Sequence, residues 1–286
     1  MNITLEKYHG LGNDYLIYNT QHNPFPLTEE RVRLICNRNF GVGADGILEG
    51  PLFDESGVDV RIWNPDGSRS KSSGNGIRIY AKYLKDAGYV GKKHAIIQTE
   101  GGPVDVQFLN ETGARLTVSM GKLSFWSDEI PVAGKRREVV DETMVFHEIP
   151  YKATCVSIGN PHLVIFLNEI SKKIVCRIGR YSENAEYFPE RINTTIMNVI
   201  DRTHIQIETY ERGAGYTLAS GTSCCAAAGV AYRMGLTDPK TYVEMPGGTL
   251  EIEIEEDKSV LMTGEVLYVG RMTLGEELSQ QLRALK

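Results

Sequence analysis

The sequence predicts an α+β protein made of two similar halves with a cleft between them. Three observations predict it. Strand-like segments dominate the chain, few stretches read as capped helices, and two of those helices open on matching Ser-Gly motifs 147 residues apart (Ser73 and Ser220), about half the 286-residue length. In order, residues 59–64, 95–109, 113–121, 151–167, 204–211 and 249–270 alternate apolar with polar side chains or are rich in β-branched ones, the period-2 pattern of strands. Inside them EGGP (100–103) and EEDKS (255–259) read as hairpin turns. The best helices are 28–39, capped by Thr28 with Glu30 in its first turn, then 76–88 and 223–235, which end on Gly88 and Gly235 in the C-cap position.

Composition narrows the class. A hydrophobic content of 41% supports a packed core, and the length fits one large or two medium domains. A net charge of −6 and the lack of any long basic run point away from a nucleic-acid partner. No apolar stretch approaches the roughly 18 residues that cross a bilayer. The first residues lack a secretory h-region. The expectation is a cytoplasmic protein with no membrane partner. The five cysteines (Cys36, Cys155, Cys176, Cys224, Cys225) are odd in number and hold no C-x-x-C pair, so neither a zinc ribbon nor a redox motif is expected. Cys224-Cys225 reads as two small apolar residues of a buried helix.

The two motifs are SSGNG (72–76) and ASGTS (219–223). A tight turn opening a helix leaves backbone N–H groups unpaired, and the helix dipole adds positive charge there. Such a site suits a phosphate or carboxylate. For one motif alone, Ser73 or Ser220 as a plain N-cap is the better reading. Two matched motifs shift the balance toward a pair of grips on one carboxylate. No nucleotide fingerprint is present. GLGNDY (10–15) lacks a third glycine, and GVGADG (41–46) reads as a sharp turn feeding a strand rather than a phosphate loop. Other polar residues stand at strand ends: Asn64 before Pro-Asp-Gly, Asn160 and His162 at the head of an apolar strand, Asn193, and Glu211-Arg212 before a glycine-rich loop. Each alone reads as a turn residue, a structural histidine or a solvated ion pair.

Together YHGLGNDY, GVGADGIL, WNPDGS…SSGNGIR, SIGNPHLVIF, ERINTT, YERGAGYTLASGTSCCAAAG and MPGGTLEI stand in the order and spacing of diaminopimelate epimerases, from residue 6 to about 270. The chain resembles that family over nearly its whole length. The resemblance implies two similar domains, 1–119 plus 264–286 and 120–263, each a mixed β-sheet or barrel around a central helix, with the active site in the inter-domain cleft. It implies a cofactor-independent, metal-free isomerase of lysine and amino-acid biosynthesis, a homodimer, that interconverts LL- and meso-diaminopimelate by two-base proton transfer at Cα. Two helix N-termini would stabilise the carbanion through its carboxylate.

In the family the base and acid are two cysteines, one in each motif. Here those positions hold Ser73 and Ser220. A hydroxyl is a far weaker acid than a thiol of pKa near 8.5, and each pKa unit is worth about 1.4 kcal/mol. Neither serine has an obvious lysine or triad arrangement to make it an alkoxide. This form is therefore expected to be inactive or strongly impaired. The paired change reads as a replacement made in an otherwise intact site. The alternatives are a paralogue that binds an amino acid without epimerising it, or a racemase for another amino acid. By resemblance, Asn64, Asn160, Asn193 and Arg212 hold the distal amino-acid end, with Arg212 suited to its carboxylate. Glu211 contacts the amino group and tunes one acid/base position, and His162 stands beside the other. Asn13 contacts substrate, and Gly74, Asn75, Gly221 and Thr222 grip the reacting carboxylate. Two local departures are Tyr216, where glutamate is usual, and GEV (264–266), where Gly-Pro-Ala is. The tail LGEELSQQLRALK reads as an added helix.

Overall fold

A computed structural model describes residues 3–23, 25–54, 57–71, 73–91 and 93–285; Ser72, at the head of the first motif, lies outside the described residues. The chain divides into two units, 1–118 with 264–286 and 119–263. From the first hairpin to the closing meander the elements run in the same order in both.

In the first unit β1 (Thr4–Gly10) and β2 (Asn13–Tyr18) form an antiparallel hairpin. Helix α1 (Glu29–Cys36) leads to β3 (Ile47–Asp54), parallel to β2. Strand β4 (Gly57–Trp63) returns antiparallel and pairs with the short β5 (Arg69–Ser70). Helix α2 (Gly74–Asp86) is a second crossover, to β6 (His94–Thr99), parallel to β4. Strands β7 (Gly102–Phe108) and β8 (Arg115–Lys122) follow as a meander.

The second unit repeats this plan. Strand β9 (Glu142–Phe146) pairs with β10 (Ile149–Ser157), which forms a hairpin with β11 (Pro161–Phe166). Helix α3 (Lys172–Ser182) crosses to β12 (Asn193–Asp201), parallel to β11. Strands β13 (His204–Glu211) and β14 (Gly215–Thr217) precede α4 (Gly221–Arg233), which crosses to β15 (Lys240–Met245), parallel to β13. The meander is completed by β16 (Gly248–Ile254) and β17 (Ser259–Glu265). Strand β18 (Leu267–Thr273) then rejoins the first unit beside β1, and α5 (Glu276–Ala284) follows. Among the described residues no helix is long and apolar enough to cross a membrane.

Each unit wraps its strands around one central helix. Helix α2 packs against β1, β2, β3, β6 and β7, and every residue from Gly74 to Leu84 is buried. Helix α4 packs against β10, β11, β12, β13, β15 and β16. A helix enclosed on all sides is expected to be apolar all round, and α4 is: its CCAAAGVA run is buried throughout. Small side chains let the strands close on it; a Cβ at Gly229 would lie 2.5 Å from Leu123 Cδ1. Helix α2 instead buries Arg78 and Lys82. Arg78 donates to Asn75 Oδ1 at 2.7 Å, and Lys82 pairs with Asp86, which also accepts from Tyr8 Oη.

Outer helices close the second core of each unit. Val32 and Ile35 of α1 pack with Leu5, Leu16, Ile47 and Leu282. Val175 and Ile178 of α3 pack with Leu163, Ile165 and Ile196. The strand pattern of the sequence is found at β4, β6–β8, β10, β11, β13 and β16–β18, with turns at EGGP and EEDKS. Helix α3 was not expected; its buried stripe (Val175, Ile178, Gly179, Ser182) is too narrow to stand out. Helices α2 and α4 begin two residues earlier than read, because the glycines of the motifs form the first helical turn. Both end as expected on glycine: Gly88 and Gly235 take φ of 77° and 72°. Tyr89 N–H then bonds Leu84 O, and Leu236 N–H bonds Ala231 O.

Candidate active site

The two units place their polar residues at equivalent points. Helices α2 and α4 are both 13 residues long, and their caps, Ser73 and Ser220, share an extended backbone. The 147-residue offset between these serines also relates Asn13 to Asn160, Tyr15 to His162, Asn64 to Glu211, Asn75 to Thr222 and Arg78 to Cys225. Each pair sits on or immediately beside corresponding elements.

In the first unit Ser73 Oγ accepts the Gly76 N–H at 3.1 Å, the ordinary N-cap bond. It also lies 3.2 Å from Tyr15 Oη. Asn75, in the first turn of α2, donates to Asn13 Oδ1 at 3.2 Å, and Asn13 donates to Asp45 Oδ2 at 3.0 Å. Gly74 is the first helical residue. Asn64 stands apart from this group in its bonding: its amide donates to Ser68 Oγ at 2.9 Å, and its carbonyl accepts from Gly67 N. It is a turn residue, as its plain reading has it.

In the second unit Ser220 Oγ accepts the Ser223 N–H at 3.4 Å and donates to Glu211 Oε2 at 3.1 Å. Gly221 and Thr222 open α4, and Asn160 donates to Thr222 Oγ1 at 3.4 Å. Asn160 Oδ1 lies 2.9 Å from His162 Nε2. Asn193 is paired with His162 across β11 and β12; it donates to Pro161 O at 2.8 Å and accepts the Arg212 N–H at 2.9 Å. Arg212 Nη1 donates to Glu190 O at 2.8 Å. All eight expected residues of this unit thus belong to a short chain of contacts around the start of α4.

His162 is fully buried, and burial pushes its imidazole down to about 3, with the Arg212 charge adding to the effect. It is neutral near pH 7. Its Nε2 faces Asn160 while Nδ1 has no hydrogen-bond partner. Tyr216 lies on β14 under the Lys172 ammonium, 4.5 Å from the ring centroid. Among the described residues no three His, Cys, Asp or Glu side chains gather as a metal site.

Sequence reasoning missed Tyr15 and Arg78. Tyr15 is two residues past Asn13 on one strand, so the two side chains share a face. Arg78 is three residues past Asn75, one helical turn on, and is a cation in an enclosed helix. Both signals were available in the spacing.

Each unit offers a hydroxyl at a helix N-terminus, with the backbone N–H groups of the first turn behind it and a proton-carrying partner beside it. Such a pair suits proton transfer next to a carboxylate. The fold is that of racemases and epimerases: a hydroxyproline epimerase from Agrobacterium vitis, solved with bound trans-4-hydroxy-L-proline, superposes with a TM-score of 0.70 over 95% of this chain and 90% of its own, at 12% identity. Residues 5–126 and 154–269 match the sequence profile described as diaminopimelate epimerase. "Diaminopimelate epimerase 2" of Nostoc sp. is 47% identical over 95% of both chains, and the diaminopimelate epimerase of Synechococcus elongatus is 38% identical over 94% of this chain and 97% of its own. The chain belongs to the diaminopimelate epimerase family and is an isomerase of that type.

Proposed function

We propose that this protein is a cofactor-independent epimerase of diaminopimelate, interconverting the LL and meso forms by proton removal and return at Cα, with Ser73 and Ser220 in the acid/base positions. The observation that carries the reading is the doubled cap: in both units a serine at the N-terminus of the enclosed helix holds one backbone N–H and touches an ionisable side chain. Inversion needs a proton acceptor on one face of Cα and a donor on the other, so one substrate would draw on both serines. Gly74, Asn75, Gly221 and Thr222 would hold the reacting carboxylate, and Asn13 would contact substrate. Asn64, Asn160, Asn193 and Arg212 would hold the distal amino-acid group, Arg212 pairing with its carboxylate. Glu211 would serve the Ser220 face, and neutral His162 would stand by the reacting centre. A cytoplasmic homodimer is part of this reading.

Serine in place of thiol keeps turnover far below that of a cysteine pair, because an aliphatic hydroxyl yields its proton much less readily. The test is the double variant Ser73→Cys/Ser220→Cys, followed by separation of LL- and meso-diaminopimelate over time. Epimerisation should rise by about 100-fold or more, with the affinity for LL-diaminopimelate little changed. If the double variant binds the substrate but does not invert it, the protein is a binder and not an enzyme. If lysine, histidine or glutamate is inverted faster, it is a racemase for another amino acid.

A further inference from the structure

The two serines have different partners. Ser220 donates to a carboxylate, Glu211, whereas Ser73 lies 3.2 Å from a phenol, Tyr15. The residue that occupies the place of Tyr15 in the other unit, His162, turns to Asn160 instead of to the serine. We propose that Tyr15 is the proton-relay partner of Ser73, so that the residual chemistry on that face runs through a Tyr15–Ser73 couple. The proposal rests on the epimerase reading above.

The geometry supports a relay. Tyr15 is 6% exposed and its ring is fixed: a Cβ at Gly46 would fall 2.6 Å from Tyr15 Cε1 and 2.5 Å from Trp63 O, so glycine at 46 is what lets the ring lie against the backbone. Ser73 Oγ already accepts the Gly76 N–H, which holds the oxygen in place and leaves its second lone pair and its own hydrogen for Tyr15 and substrate. When the Cα carbanion is protonated from this face, the Ser73 hydrogen moves to Cα while the Tyr15 phenolic hydrogen moves to Ser73 Oγ. The serine ends neutral and the charge rests on a phenolate. In the reverse direction the phenolate takes the Ser73 hydrogen as Ser73 Oγ takes the one from Cα. No serine alkoxide is formed, and an ordinary phenol, near pKa 10, is a far better proton carrier than a lone aliphatic hydroxyl. Tyr15 acts through Ser73 and is a positioning residue in that sense, with its own proton in the path.

The experiment follows solvent deuterium entering Cα of LL-diaminopimelate by NMR, in the native protein, Tyr15→Phe, Ser73→Cys and the Tyr15→Phe/Ser73→Cys double variant. Phenylalanine keeps the ring against Gly46. Tyr15→Phe should lower kcat for exchange by about 100-fold with KM unchanged. A thiol carries its own proton near neutral pH, so in the Ser73→Cys background the same change should cost less than about twofold. An equal loss in both backgrounds makes the role structural and overturns the proposal. So does native exchange no faster than that of a Ser73→Ala/Ser220→Ala control. The epimerase reading stands or falls separately, on whether the double cysteine variant inverts the substrate.

Discussion

The two half-sites share a backbone plan but differ in what they place on it. Helices α2 and α4 have equal length, equal caps and equal glycine ends, and each crosses between two parallel strands. Around α2, however, the strand ends carry Asn13, Tyr15 and Asn64, while around α4 the corresponding positions are Asn160, His162 and Glu211. Inside the helices, buried Arg78 corresponds to buried Cys225. The repeated topology therefore fixes where a functional side chain can stand, and the residue type at that point decides its task.

The largest effect is expected where the counterparts differ in charge. Glu211→Gln leaves the side chain's shape but removes the carboxylate that accepts the Ser220 hydrogen; α-hydrogen exchange should fall by about 100- to 1,000-fold in kcat. The counterpart change, Asn64→Ala, should act on KM by about tenfold and leave kcat alone, if the distal-end role holds. Steady-state exchange rates measured for both variants distinguish them, and matching losses in kcat would end the division of labour between the two strand ends.

Next in size is the central helix itself. Arg78 is 0% exposed and donates to Asn75. Arg78→Met removes that donor from an enclosed network and should cost about 3 kcal/mol, read by urea denaturation. Cys225→Ala, at the matching point of α4, deletes one small apolar group and should cost about 1 kcal/mol. Similar costs at the two positions would mean that the Arg78 network adds nothing to the first unit.

The smallest effect is a slope. The imidazole of His162 is pushed down to about 3 by burial, against an ordinary value near 6.5. Between those values the unfolded chain binds a proton that the folded chain does not, so this residue favours unfolding progressively as pH falls from 6.5 toward 3. The contribution is at most about 1.4 kcal/mol per pH unit. His162→Gln should flatten that part of a stability–pH curve; an unchanged slope would show that the imidazole is charged in the fold.

Much of this was readable in advance. The two Ser-Gly motifs, their glycine stops and the sheet-rich alternation follow local rules, and they survive in α2, α4 and the β6–β8 and β16–β18 regions. Helix α3 does not stand out because its burial is one-sided and shallow, and β1, β2 and β12 do not because glycine and asparagine motifs typical of turns flank or interrupt a β-branched or apolar core such as NTTIMNVID. The second half-site was legible as a set, since its members stand at strand ends or at the start of α4. The hydrogen-bond partner of Ser73 was not, because Tyr15 lies in an apolar strand where a tyrosine reads as core. Only the fold brings its hydroxyl to the helix cap.

The path of the backbone has one more consequence. Strand β1 is flanked by β2 on one side and by β18 on the other, and Arg31 of α1 donates to the Leu282 and Leu285 carbonyls near α5. The unit that is encoded first therefore has its sheet completed from residues made after all of 119–263. During synthesis the second unit is the one whose whole chain leaves the ribosome as a single run, and the first must wait with an open strand edge until 267–273 has emerged.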